Sequence, residues 1–79
     1  MIQVIVGLNT RREPAKIYDE TTTTPRMVLD ESGIDYAAGN LSLDASPLRH
    51  GEIDKTFAEL GKTGGTSYLM CIVKGDNAA

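Results

Sequence analysis

The stretch Tyr68-Leu69-Met70-Cys71-Ile72-Val73 decides the fold, because it is an apolar run near the end of a chain that also begins with one. The opening residues Met1-Ile2-Gln3-Val4-Ile5-Val6 are rich in β-branched side chains, which suit a pleated and largely buried strand. Two apolar strands at opposite ends of a short chain pair most economically in the middle of one sheet. The sequence therefore predicts a sheet whose central strands are the first and the last.

Length and composition limit the architecture around these strands. A chain of 79 residues has room for one hydrophobic core, so we expect a single domain over residues 1–79. The hydrophobic fraction of 41% and the charged fraction of 24% are ordinary for a globular domain and argue against global disorder.

Composition also bears on compartment and partners. The only cysteine, Cys71, cannot form an internal disulfide, and the first residues lack the basic and apolar regions of a secretory signal. No apolar run approaches the length of a membrane span. The net charge of -3 weakly opposes nucleic-acid binding, and the one basic cluster, Arg11-Arg12, is interpreted as a solvated turn. We expect a cytoplasmic protein that binds neither nucleic acid nor membrane.

The first half of the chain predicts two strands and a helix. The first strand covers residues 2–8. After a turn, the second strand covers about residues 15–20, with Ile17 facing the core and Tyr18 facing away. Thr24-Pro25 is typical of a helix start, and Gly33 is suited to end that helix after Ser32.

Within this helix, Val28 and Leu29 are expected to face inward. Arg26 and Asp30 are four residues apart, a spacing at which they can pair on the exposed side.

The middle of the chain, residues 35–51, gives weaker signals. Leu41 and Leu43 alternate as in a short third strand, and Ser46-Pro47 is interpreted as a turn after it. The apolar spacing of Ile53, Phe57 and Leu60 then predicts a second helix over residues 52–60, which Gly61 ends.

This order of elements and several local strings resemble the ubiquitin-like β-grasp family across nearly the whole chain. The opening string looks like the family's first strand, Glu31-Ser32-Gly33-Ile34 like the end of its main helix, and residues 66–73 like its last strand. Residues 24–35 also resemble the helix of the sulfur-carrier branch. The resemblance implies an α+β fold, a mixed sheet with central first and last strands and one main helix packed on one face.

The chain departs from this family at the residues that carry its best-known chemistry. Conjugating members end in Gly-Gly, whereas here Gly75 is followed by Asp76-Asn77-Ala78-Ala79. We therefore expect a non-conjugating interaction module. One alternative is a ubiquitin-type or sulfur-carrier protein activated at a processed C-terminus, and another is a regulatory subunit whose binding patch is permanently occupied.

The strand pattern predicts where a partner would bind. If Leu69 and Cys71 point to the core, alternation forces Met70 and Ile72 onto the opposite face of the sheet. The same reasoning adds Ile5 and Tyr18, and in ubiquitin-like proteins the corresponding face binds partners. We expect a protein partner, or a second copy of the chain, to bind Ile5, Tyr18, Met70 and Ile72. Alternatively, these residues are scattered or covered by residues 35–51.

Candidates for catalysis are few. His50 is the only histidine and is interpreted as a solvated loop residue, and Cys71 is interpreted as a small buried side chain in a strand. Glu52, Asp54 and Glu59 fit the polar side of the second helix better than an acid–base pair. One cysteine and one histidine cannot build a zinc site, and Gly61-Lys62-Thr63 lacks the upstream glycine of a phosphate loop. We expect no enzyme activity, no metal and no cofactor.

Overall fold

The structure is a computed structural model that describes residues 1–37 and 39–73. The C-terminal residues Lys74 to Ala79, on which the expectation about conjugation depends, lie outside the described residues. Within the described part, six strands, one α-helix and one 3₁₀ turn follow one another as β1 (Ile2–Leu8), β2 (Arg11–Arg12), β3 (Lys16–Tyr18), α1 (Pro25–Glu31), β4 (Asn40–Leu43), β5 (Ser46–Leu48), the 3₁₀ turn (His50–Glu52) and β6 (Thr66–Ile72).

The strands form one mixed sheet in the order β2-β1-β6-β4-β5, with β3 also paired to β1. Strands β1 and β6 run parallel, and the other neighbouring strands run antiparallel. The class is therefore α+β, and a mixed sheet with one helix is compatible with a β-grasp. No helix in residues 1–37 and 39–73 is long and apolar enough to cross a membrane.

Helix α1 begins and ends largely where the sequence predicts. The Thr24 hydroxyl accepts a hydrogen bond from the Met27 N–H at 3.2 Å, and Pro25 occupies the start of the helix. Gly33 has a φ of 72°, a conformation that suits the residue after a helix end. Val28 and Leu29 are buried, as predicted, whereas Ser32 caps the helix and lies outside it.

The predicted pair between Arg26 and Asp30 is wrong, because Arg26 binds Asp54 instead. Its Nε and Nη2 atoms donate to the two carboxylate oxygens of Asp54 at 2.5 and 2.9 Å, which is a bidentate geometry. The Arg26 N–H also donates to the Ile53 carbonyl at 3.0 Å. These bonds tie the first turn of α1 to the chain segment before β6.

The predicted second helix over residues 52–60 is also wrong. Only the 3₁₀ turn at His50–Glu52 is helical in this region, and turns follow it. The backbone N–H groups of Phe57 and Ala58 donate to the carbonyls of Thr23 and Glu20, at 3.0 and 2.9 Å. Because these donors bind another segment, they cannot form the i to i−4 bonds of an α-helix.

The strand predicted at about residues 15–20 is confined to β3, and Arg11-Arg12, interpreted from the sequence as a turn, instead form the short strand β2 on the other side of Pro14. Proline lacks an N–H and breaks the pairing, although the Glu13 N–H still donates to the Val6 carbonyl at 2.8 Å. The β4 strand lies where Leu41 and Leu43 predict it, but the predicted turn at Ser46-Pro47 is part of β5. Asp44 and Ala45 form the turn instead, with positive φ values of 52° and 70°.

The core lies between α1, the segment before β6 and one face of the sheet. Its buried apolar side chains are those of Ile2, Val4, Val6, Val28, Leu29, Leu41, Leu43, Leu48, Ile53, Phe57, Leu69 and Cys71. Phe57 is the largest fully buried side chain among the described residues. Core packing therefore determines the conformation of the irregular segment before β6, which backbone propensity alone does not determine.

We predict that Phe57→Ala lowers the free energy of unfolding by about 3–5 kcal/mol, because it leaves a large cavity in the core. Met27→Ala is the control, since the Met27 side chain is 53% exposed, and it should change stability by about 0.5 kcal/mol or less. Urea unfolding followed by circular dichroism measures both. Equal losses for the two variants would show that Phe57 does not anchor the segment.

Candidate functional site

The face of the sheet opposite α1 carries a cluster of exposed apolar side chains. Strand β6 alternates strictly, since Ser67, Leu69 and Cys71 are at most 2% exposed. The residues between them point the other way, and Tyr68 and Ile72 are 40% and 42% exposed. We call this surface the open face and define it by Ile5, Gly7, Arg12, Ile17, Tyr68, Met70 and Ile72.

Pairing between β1 and β6 brings the predicted residues together. In the parallel register Ile5 lies beside Tyr68, and Gly7 lies beside Met70. On the other side of β6, Asn40 pairs with Ile72. Ile5, Met70 and Ile72 therefore share the open face, as the alternation predicts.

Tyr18, by contrast, lies on the opposite face of the sheet from Ile5, Met70 and Ile72, so its expected position there is wrong. The antiparallel register places Tyr18 directly across from Ile2, a core residue, and directly opposite residues point to the same side. Its hydroxyl donates to Glu31 Oε1 on the helix at 2.5 Å. Ile17, expected in the core, pairs with Gln3 and is 65% exposed. The sequence predicts the alternation of this segment correctly but assigns Ile17 and Tyr18 to the wrong faces of the sheet.

Gly7 determines how closely Met70 approaches the sheet. A Cβ atom on Gly7 would lie 2.6 Å from the Met70 Cε atom and 2.7 Å from the Arg11 carbonyl oxygen. Such distances are too short for any side chain. The lack of a side chain at Gly7 therefore leaves the space in which the Met70 thioether lies over β1.

Arg12 borders the same cluster from β2. Its guanidinium carbon lies 5.5 Å from the centroid of the Tyr68 ring, within the range of a cation–π contact. Arg12 pairs with Gly7 across the β1–β2 hairpin. No side chain at position 7 stands between Arg12 and β6.

A shallow groove of about 530 Å³ crosses the open face from β2 to the turn between β4 and β5. Its lining residues are Arg12, Ser42, Asp44, Ala45, Tyr68, Met70 and Ile72. Apolar side chains therefore line the middle of the groove, and the charged side chains of Arg12 and Asp44 lie at its two ends. The apolar part of the groove has room for an apolar side chain of another molecule.

Asp44, at the far end of the groove, is already neutralised. Its carboxylate accepts a hydrogen bond from the Tyr68 N–H at 2.8 Å and lies 2.9 Å from Lys62 Nζ. Partial burial raises the pKa of Asp44, but the Tyr68 hydrogen bond and the Lys62 ammonium outweigh this effect and lower it. Asp44 therefore supports the strand β6 backbone and adds little free negative charge to the groove.

The side chains considered as catalytic candidates do not lie on the open face. Cys71 is fully buried, and burial raises the pKa of its thiol, as does the charge of Asp35. A thiol with a raised pKa and no exposed surface is a poor nucleophile. His50 is exposed in the 3₁₀ turn. Residues 1–37 and 39–73 contain no group of three or more His, Cys, Asp or Glu side chains arranged to hold a metal ion.

Reasoning from sequence missed Tyr68, Arg12 and Ile17 as members of the open face. The alternation that identified Met70 and Ile72 applies equally to Tyr68, so that residue was within reach. Arg12 was not, because its place depends on a hairpin that pairs β2 with Gly7.

No protein-family model matches this chain, and no curated protein matches it. Function must therefore be argued from the open face itself.

We predict that Gly7→Ala destabilises the protein by about 1–3 kcal/mol, because the added methyl group displaces Met70 and meets the Arg11 backbone. Gly51→Ala is the matched control, since nothing lies within 4 Å of a Cβ at that position. Urea unfolding should show a loss only for Gly7→Ala. If both variants are as stable as the wild type, Met70 does not lie closely over β1.

Tyr18 should also give a pH-dependent signal. Partial burial, the hydrogen bond to Glu31 and the negative charge of Glu31 together raise the pKa of Tyr18 from 10.0 to about 12. A phenol with a raised pKa in the folded state stabilises that state below pH 10, and the contribution is lost between about pH 10 and pH 12.

Tyrosinate absorbance near 295 nm measures this ionisation, and Tyr18→Phe should remove a titration centred near pH 12. Removal of a titration centred near the ordinary tyrosine value would contradict the contact with Glu31.

Proposed function

We propose that this chain is a ubiquitin-like β-grasp module that binds another protein through its open face. The observation that carries the proposal is that Tyr68, Met70 and Ile72 point to the same side of an internal strand and are not covered by α1. Large apolar side chains that are exposed next to one another often mark an interaction surface. The β-grasp assignment is supported by the mixed sheet, the parallel pair of β1 and β6, and the single helix.

The energetics of the open face favour binding of moderate strength. Complete burial of a large aliphatic or aromatic side chain contributes about 1.5–3 kcal/mol. Tyr68 and Ile72 are about 40% exposed, and Met70 and Ile5 are half-buried already, so each contributes only part of that amount. Met70 adds adaptability, because its unbranched thioether can follow the shape of different partners.

The edges of the sheet offer a poorer site than its open face. An extended peptide can add to an exposed edge strand, but this needs a row of free N–H and C=O groups. On one edge, β5 is three residues long and includes Pro47, which has no N–H. On the other edge, Pro14 separates β2 from β3. Both edges therefore offer only short rows, and a partner gains more on the open face.

We predict that Ile72→Asp abolishes partner binding and leaves the fold intact, because it places a carboxylate among the apolar side chains of the open face. Met27→Asp is the control: Met27 is comparably exposed, but it lies on α1. The immobilised wild-type and variant proteins are incubated with a lysate of the source cells, and the bound proteins are identified by mass spectrometry.

A protein retained by the wild type and by Met27→Asp, but lost with Ile72→Asp, supports the proposal. Retention of the same proteins by all three contradicts it. Light scattering on each variant separates a second copy of the chain from a different partner, since only self-association raises the molar mass of the purified wild type.

A further inference from the structure

Charge on the open face is distributed unevenly, and this bears on the chemistry of a partner. The chain as a whole has a net charge of -3. The two charged side chains that line the groove are Arg12 and Asp44. Of these, Asp44 is paired with Lys62, whereas Arg12 makes no ion pair with any residue of 1–37 or 39–73. The open face is therefore locally positive on a negative protein.

Arg12 is also oriented before a partner arrives. Its guanidinium carbon lies 5.5 Å from the centroid of the Tyr68 ring, a cation–π contact that restrains the side chain beside the groove. An arginine that is already positioned loses less side-chain entropy when it binds a carboxylate. A carboxylate beside Arg12 would therefore meet a guanidinium that forms no ion pair within residues 1–37 and 39–73.

The apolar part of the groove lies next to this donor. Tyr68 is in contact with Arg12, and Met70 and Ile72 follow along β6 on the same face. An apolar side chain bound over Met70 and Ile72 would therefore bring its neighbours in the partner close to Arg12. At the other end, the Asp44–Lys62 pair is neutral and offers no comparable attraction.

We infer that the open face recognises a protein segment in which an acidic side chain neighbours a large apolar one, with the carboxylate bound by Arg12 and the apolar side chain bound over Met70 and Ile72. This inference rests on the proposed function and adds the chemistry and the orientation of the partner. Two charge-assisted bonds from one guanidinium to a carboxylate give geometric selectivity as well as affinity.

The test uses a display library of random linear peptides selected on the full chain, followed by selection on the Arg12→Glu variant. We expect peptides from the wild type to combine Asp or Glu with Leu, Ile, Met or Phe, and peptides from Arg12→Glu to carry Lys or Arg instead. A wild-type peptide should lose about tenfold in affinity for Arg12→Glu. Arg12→Lys should lose less, because it keeps the charge and loses the bidentate geometry.

Amide chemical shifts on adding the selected peptide show where it binds. Shifts at Gly7, Tyr68 and Ile72, together with the change in peptide charge, support the inference. Peptides that bind the open face without acidic residues, or that bind Arg12→Glu equally well, overturn it and leave the proposed function standing. Binding elsewhere, or an open face closed by self-association or by residues after Val73, overturns both.

Discussion

The structure depends on the alternation of β6 while it is held between β1 and β4. Because both edges of β6 are paired, no residue of this strand can rotate to suit its own polarity. Burial of Leu69 and Cys71 in the core that also holds Val28 and Leu29 of α1 therefore fixes the opposite side chains on the other face of the sheet. The strand pairing therefore exposes the side chains at those positions even when they are apolar. The open face is the direct consequence of a one-helix, one-sheet architecture.

Gly7 makes this face continuous. It allows the Met70 side chain to lie over β1, and it removes an obstacle between Arg12 and Tyr68. A larger residue at this position would divide the face into separate patches. One glycine near the end of β1 thus affects the packing of three strands, although glycine usually weakens a strand.

Patterns among neighbouring residues were sufficient to predict the structure where short-range interactions determine it. The cap at Thr24, the end of α1 at Gly33 and the positions of Met70 and Ile72 were predicted from neighbouring residues. Long-range contacts decided the rest. Phe57 lies in a helical pattern, but its backbone N–H binds another segment, and Tyr18 lies in a regular alternation whose face is set by its register with β1. Neither partner can be read from spacing alone.

The most direct test of the open face as a binding surface is site-specific photo-crosslinking in the source cells. A photoreactive phenylalanine analogue replaces Tyr68, which is 40% exposed at the centre of the face, and in a second protein it replaces Met27 on α1. We expect a discrete covalent adduct from position 68 and none from position 27. No adduct from position 68, or the same adducts from both positions, would contradict the assignment of the binding surface.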